Sequence, residues 1–421
     1  MQEVAPVEKD QREPLMDVLR GFAILGIFIA NLHYMSMYHP EKQGAFFSKF
    51  DDTVEYLQSL LIEGKFYSIF SILFGWGVSM QMSKVRAAGM SGTRFTKRRL
   101  GFMFLLGFLH ALFLWTGDIV AFYAAIGFIL LYFQNKSNRR ILRWAMALIL
   151  LPIPLYMMKM LWAPSNYFTY LFDDAGDWLQ MNVAHLDPGY DIMDAEVVTS
   201  WTELWKLNVG GIFYRISDLL FTSRIPKVLG LFLIGFMIGR GGYYKKLLAN
   251  QSLMMKITAI CFSLGLFFNS LMARYTPNVV QYYNLRISGL YQTIAYAFGV
   301  APLAIAYMTS IALLFENASF KRVLMLLRPA GQMAFTNYIL QSLLGILIFQ
   351  GIGLNLGGEF GPLAWTILAI VIFMLQIILS HIWLKKFRHG PVEWLWRCMT
   401  YGSIQPFRKS SLTHVATTEE Q

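Results

Sequence analysis

The chain has 421 residues, of which 56% are hydrophobic and only 14% are charged, and its mean hydropathy is +0.46. Soluble domains carry about 25% charged residues, so this composition argues against a soluble enzyme and excludes disordered, collagen-like and disulfide-framework classes. Two cysteines, Cys261 and Cys398, are too few for a framework. The net charge of +11 would suit nucleic acid, but in a membrane protein it indicates basic cytoplasmic loops.

The apolar residues occur in long runs, which predict an all-α polytopic membrane protein with about 10 transmembrane helices. Each run is near the length that crosses roughly 30 Å of hydrocarbon. The stretch before the first run is polar and of mixed charge, so no cleavable signal peptide is expected. The predicted spans are 15–36, 56–80, 99–116, 118–134, 141–163, 226–244, 250–273, 288–315, 331–352 and 362–384.

The distribution of basic residues predicts that both termini lie in the cytoplasm. With the N-terminus inside, most of the 36 Lys and Arg residues fall on inner connections, within 84–99, 136–143, 240–256, 321–328 and 385–409. The short outer connections carry only Lys42, Lys49, Arg274 and Arg286. This asymmetry is what the positive-inside rule predicts for a multi-pass protein with both termini in the cytoplasm.

One region, 164–225, differs from the rest because it is acidic and contains several tryptophans. We interpret it as an outer-face segment with an amphipathic helix near 196–222, although a short or re-entrant span remains an alternative. The predicted organisation is a cytoplasmic tail (1–14), a five-helix region (15–163), the acidic segment (164–225), a second five-helix region (226–402) and a flexible cytoplasmic tail (403–421). The acidic residues of the segment are Asp173, Asp174, Asp177, Asp187, Asp191, Asp194, Glu196, Glu203 and Asp218.

Polar residues inside the first two spans need partners, because an ionised side chain in hydrocarbon costs roughly 2.5–3.5 kcal/mol. Asp17 and Arg20 are i,i+3 neighbours, and Asn31 lies about three turns farther along the same face. They form either an ion pair that sets the helix depth or an anion site for a cytoplasmic ligand. Glu63 and Lys65 either reach the interface, or Lys65 balances an acidic group in an outer cavity.

The segment GFLHALFLWTGD (107–118) contains a histidine deep in the predicted membrane. Gly117 and Asp118 form a tight turn between two spans, and His110 lies two turns before it. A membrane histidine commonly forms a hydrogen bond in helix packing. Since Asp118 is near enough to orient the imidazole, His110 is also a candidate general base.

Span 331–352 carries a polar stripe in which Gln332 with Thr336, and Asn337 with Gln341, are i,i+4 pairs. These residues either form interhelical hydrogen bonds or line a substrate path.

Arg388, Glu393 and Arg397 follow the last span, beside two tryptophans. They either anchor the chain at the headgroup level or cooperate with Arg20 around a phosphate-bearing cofactor. The sequence shows no convincing metal-ligand cluster, Walker loop or dinucleotide-binding glycine pattern.

Five stretches resemble the YeiB-like bacterial membrane proteins, also catalogued as domain of unknown function 418. They are MDVLRGFAILGIFIAN (16–31), KFYSIFSILFGWG (65–77), GFLHALFLWTGDIVAFYA (107–124), GQMAFTNYILQSLLG (331–345) and FRHGPVEWLWRCMTYG (387–402). The resemblance implies a polytopic helical protein of the bacterial plasma (inner) membrane.

That family is distantly similar to transmembrane acyltransferases, which acylate acceptors at the outer face with cytoplasmic acyl-CoA. Arg20 is similar to the arginine that recurs near the inner end of their first span. Many of them carry a histidine where this chain has Asn31, so the resemblance implies that His110 takes the catalytic role.

Two functions of different classes follow. In an acyltransferase, acyl-CoA is the co-substrate, its phosphates contact Arg20, Arg388 and Arg397, and His110 deprotonates a small-molecule or glycan acceptor. Asn337 or Gln341 then stabilises the oxyanion. In a transporter, Asp17, Asn31, Lys65, Asn337 and Gln341 line the pathway. A third interpretation is a non-catalytic membrane role. In all three, membrane lipids are expected partners, and no metal or nucleic acid is expected. The sequence leaves the oligomeric state open.

Overall fold

The computed structural model describes residues 13–39, 44–185, 198–275 and 282–409, and in these ranges the regular secondary structure is helical apart from two isolated bridges. The all-α prediction is confirmed. In chain order the helices are α1 (Pro14–Met35), α2 (Asp51–Leu61), α3 (Lys65–Ala87), α4 (Gly92–Phe113), α5 (Val120–Leu130), α6 (Asn138–Leu150), α7 (Pro152–Leu161), α8 (Tyr167–Leu179), α9 (Trp201–Phe221), α10 (Arg224–Gly239), α11 (Tyr243–Ala249), α12 (Gln251–Tyr275), α13 (Ile287–Glu316), α14 (Ala318–Leu324), α15 (Arg328–Gln332), α16 (Ala334–Phe349), α17 (Pro362–Lys386) and α18 (Pro391–Tyr401).

Seven helical stretches within the described ranges are long and apolar enough to cross a membrane, or eight if one bent pair counts as a span. The protein is therefore a multi-pass membrane protein. The predicted spans 99–116 and 118–134 correspond to α4 and α5, which fall short of this measure. The first half of α4 carries four cations, and α5 has only 11 residues. The predicted total of ten spans stays a prediction.

The predicted span 56–80 is divided at Gly64, which separates α2 from α3. Gly64 has a φ of 80°, a left-handed conformation that glycine adopts readily. A Cβ at this position would also lie 2.8 Å from the hydroxyl of Tyr296. The break follows from these two local requirements, and it sets the position at which Lys65 begins α3.

Glycines allow the helix backbones around the centre of the molecule to approach closely. Cβ atoms at Gly75 and Gly235 would collide with α10 and α3 respectively, so these two helices are in backbone contact. Gly26 of α1 lies against Phe66 at the start of α3, and Gly77 farther along α3 faces Arg20 near the start of α1. The helices α1 and α3 are thus antiparallel.

The antiparallel packing of α1 and α3 defines two faces of the molecule. The start of α1 and the end of α3 lie on one face, which we call the N-terminal face. The end of α1 and the starts of α3 and α10 lie on the other, which we call the opposite face. By the charge rule, the N-terminal face is the predicted cytoplasmic one.

Helices α8 and α9 occupy the predicted acidic segment. The first turn of α9 is held by a capping box in which Ser200 accepts from the backbone N–H of Glu203 at 3.2 Å, while Glu203 accepts from Ser200 N–H at 3.2 Å. Hydrogen bonds from Thr199 and Ser200 lower the pKa of the Glu203 carboxyl. Asp187, Asp191, Asp194 and Glu196 lie outside the described residues.

The orientation in the membrane is tested by labelling single cysteines in a chain whose Cys261 and Cys398 are replaced by serine. Lys49 and Arg139 are both exposed and lie on connections that the charge rule assigns to opposite sides. In intact spheroplasts, a membrane-impermeant maleimide should modify Lys49→Cys and should reach Arg139→Cys only after the membrane is opened. Labelling of Arg139→Cys in intact spheroplasts would reverse the assignment.

Candidate functional site

A cavity of about 880 Å³ lies between α1, α3, α4, α5, α15, α16 and α18. Its walls are largely apolar, with side chains such as Ile24, Leu73 and Met103. Cationic side chains line it near the N-terminal face, where Arg20, Lys84, Arg99 and Arg397 come from four different helices. A mostly apolar chamber with a few convergent polar groups is the usual form of a small-molecule site.

Arg20 is held at the cavity wall by a buried carboxylate on its own helix. Its Nη1 donates to Asp17 Oδ1 at 3.1 Å, and Nε2 of Gln332 donates to Asp17 Oδ2 at 3.1 Å. Asp17 is buried, whereas 33% of the Arg20 side chain remains exposed. The i,i+3 ion pair predicted from the sequence is confirmed, and the guanidinium has donors left for a ligand.

A second guanidinium comes from α4. The charge of Arg99 lies 3.9 Å from the centre of the Trp396 ring, and the indole Nε1 of Trp396 donates to the Arg99 carbonyl at 3.0 Å. Arg397 follows Trp396 in α18, and the central carbon of its guanidinium lies 5.7 Å from the centre of the Tyr401 ring. Aromatic stacking leaves the edge of a guanidinium available for bidentate recognition of an anion.

Of the three predicted cofactor-binding arginines, Arg20 and Arg397 line the cavity and Arg388 does not. Arg388 is exposed, and its backbone N–H donates to the Phe407 carbonyl, which pins the chain after α17. Arg99 takes its place in the wall. In the sequence, Arg99 stands out only as a basic residue of a connection, because nothing there shows that α4 turns it inward.

The deep end of the cavity is lined by Ile119, Val120, Tyr123 and Tyr338. The Tyr338 hydroxyl accepts a hydrogen bond from the Ile119 backbone N–H at 3.3 Å. On its other side the Tyr338 ring packs against the His110 imidazole, with 5.0 Å between ring centres. Tyr338 therefore contacts both the cavity and the histidine.

His110 and Asp118 form a buried hydrogen-bonded pair, with 2.9 Å between Nδ1 and Oδ2. The other carboxylate oxygen of Asp118 accepts from the Ala121 N–H at 2.6 Å and so caps the start of α5. A Cβ at Gly107 would lie 2.9 Å from this oxygen, so glycine is needed there for the turn to pack. The turn between the two helices thus fixes the carboxylate beside the histidine.

The second nitrogen of the imidazole, Nε2, is the one that Asp118 does not bind. Because a carboxylate accepts hydrogen bonds, neutral His110 carries its proton on Nδ1 and leaves a lone pair on Nε2. Nε2 is buried and forms no hydrogen bond with any residue that the structure describes. An oriented imidazole with an unused nitrogen is the arrangement that a general base requires.

His110 does not itself line the cavity, because Tyr338 and Ile119 stand between them. A transfer from acyl-CoA held at Arg20 to an acceptor activated by His110 requires a passage that joins these two residues. In this structure the passage ends at the Tyr338 ring.

Asn337 and Gln341 face away from the cavity, toward α17. Asn337 Nδ2 donates to Ser380 Oγ at 3.1 Å, and Gln341 Nε2 donates to Gln376 Oε1 at 2.8 Å. Gln376 in turn donates to the Asn337 carbonyl at 3.1 Å. Both amide nitrogens donate to residues of α17, and neither Asn337 nor Gln341 lines the cavity.

The predicted span 331–352 is broken between Gln332 and Ala334, with a bend of 74°. Gln332 and Thr336 therefore do not share a stripe: Gln332 contacts Asp17, and Thr336 contacts Glu393. Glu393 of α18 accepts from the Phe335 and Thr336 N–H groups at 2.7 and 3.1 Å, which caps α16. Glu393 acts as a structural cap in the cavity wall.

Lys65 and Asn31 lie apart from the cavity. Lys65 is fully buried, and its Nζ donates to the Ser59 carbonyl at 2.5 Å, so it does not extend to the interface. Asn31 is half-buried near the end of α1 and is absent from the cavity wall. Among the described residues there is no group of three or more His, Cys, Asp or Glu side chains that could hold a metal ion.

Comparison with known proteins places the chain among uncharacterised relatives. Residues 238–403 match a family model described as "Protein of unknown function (DUF418)". "Uncharacterized protein YxaH" of Bacillus subtilis is 28% identical over 98% of this chain and 100% of its own length. "Uncharacterized protein YeiB" of Escherichia coli is 26% identical over 94% of this chain and 98% of its own length. No solved structure matches.

We expect Glu393→Ala to lower the free energy of unfolding by roughly 1–3 kcal/mol, because two backbone N–H groups at the start of α16 lose their acceptor. Glu393→Gln should cost less, since one oxygen remains. Thermal unfolding in detergent measures both, with exposed Glu316→Ala as the matched control. Equal midpoints for Glu393→Ala and Glu316→Ala would show that the cap does not stabilise α16.

Proposed function

We propose, from the premise that the chain belongs to the DUF418, YeiB-like family, that it is a membrane-embedded acyltransferase. It transfers an acyl group from cytoplasmic acyl-CoA to an acceptor at the opposite face, in a bacterial inner membrane. One observation carries the proposal: a cavity begins at three arginines near the N-terminal face and ends at Tyr338, whose ring contacts the His110–Asp118 pair.

In this proposal, the three arginines bind the cytoplasmic acyl-CoA. Acyl-CoA carries several phosphate charges at one end and a thioester at the other. Arg20, Arg99 and Arg397 would contact the phosphates, since guanidinium groups recognise phosphate through paired hydrogen bonds. The volume of about 880 Å³ falls within the range of roughly 300–1,000 Å³ that is typical of ligand pockets.

In this proposal, the His110–Asp118 pair catalyses the acyl transfer. The acceptor hydroxyl attacks the thioester carbonyl carbon while His110 Nε2 takes the hydroxyl proton. The tetrahedral intermediate then expels the thiolate of CoA, which recovers that proton from His110. The products are an ester and free CoA, and Asp118 keeps the imidazole oriented and stabilises its protonated form throughout.

The proposal requires Tyr338 to turn away from its position between the cavity and His110. That movement breaks the hydrogen bond from Ile119 N–H to the Tyr338 hydroxyl. The released N–H then becomes available to the thioester oxygen as negative charge develops there. Ile119 replaces Asn337 and Gln341 as the proposed oxyanion donor, because Ile119 lines the cavity and those two residues do not.

Transport of a small solute is the second candidate function, and the bent pair of helices favours it. Many transporters bind substrates where a helix is interrupted, and the chain is interrupted between α15 and α16 beside the cavity. The side chain of Glu393 already caps the start of α16, however, which leaves that helix terminus without a role in binding solute.

Binding of acyl-CoA is tested by the thermal stability of purified protein in detergent with CoA or acetyl-CoA. We expect both ligands to raise the unfolding temperature of the wild type. Arg20→Ala and Arg99→Ala should each weaken CoA binding by about tenfold or more, the loss of a charge-assisted hydrogen bond being worth roughly 1.5–3 kcal/mol. Arg388→Ala is the matched control and should bind CoA as the wild type does.

The cavity is not the CoA site if CoA stabilises neither the wild type nor the control. The same conclusion holds if all three arginine variants lose the stabilisation by CoA equally. Solute flux in vesicles without CoA binding would support transport instead.

The catalytic role of His110 and Asp118 is tested by acetyl transfer from radiolabelled acetyl-CoA in native membranes, which are used as the source of the acceptor. His110→Gln and Asp118→Asn should lower the transfer of label by roughly 10²–10⁴-fold, the usual contribution of a general base, and should leave CoA binding unchanged. Transfer at the wild-type rate in His110→Gln would remove this histidine from the reaction.

A further inference from the structure

A second group of cations lies on the opposite face, away from the cavity. Arg224 and Lys227 stand one turn apart at the start of α10, and Arg215 comes from the last part of α9. All three are half-buried between α3, α9, α10 and α13. The function proposed above makes no use of them.

Aromatic rings hold the two cations of α10. The Arg224 guanidinium lies 5.6 Å from the centre of the Tyr67 ring, and Lys227 Nζ lies 4.1 Å from the centre of the Tyr296 ring. The hydroxyls of Tyr67 and Tyr296 are hydrogen-bonded to each other. The two tyrosines thus fix each other and the cations above them.

Negative charge in this group is scarce. Arg215 pairs with Asp218 at 2.8 Å, and Asp218 also accepts from the Tyr283 hydroxyl at 3.2 Å. Asp218 and the exposed Glu63 act on Lys227 only through space, and Asp218 acts on Arg224 in the same way. Within the described residues, neither Arg224 nor Lys227 has a carboxylate at ion-pair distance. Nearby Lys159 is engaged by the carbonyls of Leu220 and Phe221 at the end of α9.

Among the residues that the structure describes, Nε of Arg215 and Nε of Arg224 are buried and have no hydrogen-bond acceptor. A desolvated donor without an acceptor is costly. An anionic ligand with several oxygens would satisfy both nitrogens at once. Groups left in this condition commonly mark a binding site in a membrane protein.

We propose that Arg215, Arg224 and Lys227 form a binding site for a phosphate group at the opposite face. Two guanidinium groups and one ammonium suit a phosphate, which offers more acceptor oxygens than a carboxylate. The Tyr34 ring near the end of α1 lies on the same face and is 58% exposed, so it offers an aromatic surface to the remainder of the ligand.

The site deepens the proposed transfer, because it gives the acceptor's class: a hydroxyl-bearing molecule anchored through its phosphate. The acceptor role rests on the proposed function, whereas phosphate binding does not. The phosphate has two sources, a free phosphorylated polyol and the headgroup of a phospholipid.

Two binding arms distinguish these sources. The first titrates glycerol 3-phosphate against protein in phosphatidylcholine nanodiscs, with glycerol as the uncharged comparison. The second counts phosphatidylglycerol molecules retained by the protein in native mass spectrometry. Binding in the first arm identifies the free phosphate, and retention in the second alone identifies the headgroup.

In whichever arm the wild type binds, Arg224→Gln should weaken binding by about tenfold, and Arg224→Lys should restore part of it. Lys227→Gln is the second variant, should Arg224→Gln fail to fold. Arg286→Gln is the matched control, since it removes an exposed cation on the same face and should bind as the wild type does. No binding in either arm, or equal binding by wild type and both glutamine variants, overturns the site.

The outcome is separable from that for the transferase. Phosphate binding that needs Arg224 while CoA fails to bind would retain this site and remove the transferase. CoA-dependent transfer without phosphate binding in either arm would retain the transferase and remove this site.

Discussion

Charged side chains among apolar helices must find partners, and this constraint decides where the sites of this protein lie. Asp17 is buried because Arg20 and Gln332 satisfy its oxygens, and Asp118 because His110 and the start of α5 do so. Where pairing within the protein is complete, the groups stabilise the fold. The groups left over are the guanidinium donors of Arg20 and Arg224 and the acceptor nitrogen Nε2 of His110, and these are the groups that a ligand would use.

Pairs close in sequence could be predicted from the sequence, since local geometry fixes them. The i,i+3 spacing gave Asp17 with Arg20, and the short turn brought Asp118 to His110. Contacts between distant helices could not be predicted. Arg99 reaches the cavity because α18 packs on α4, whereas Arg388 is exposed and its backbone is bonded to Phe407.

Helical periodicity also failed where the backbone breaks. An unbroken span predicted that Gln332 and Thr336 share a face, but the 74° bend sends one to α1 and the other to α18. A polar stripe does not reveal its partner either. Asn337 and Gln341 proved to bind α17, whose Gln376 and Ser380 gave no signal strong enough to select them beforehand.

The proposed transfer requires one ligand to reach from the arginines to the histidine. A cryo-EM structure of the protein with a non-hydrolysable thioether analogue of acetyl-CoA would test this. We expect phosphates at Arg20, Arg99 and Arg397, Tyr338 turned aside, and the carbonyl of the analogue beside His110 Nε2. An analogue bound elsewhere, or one that stops at an unmoved Tyr338, would rule out the transfer.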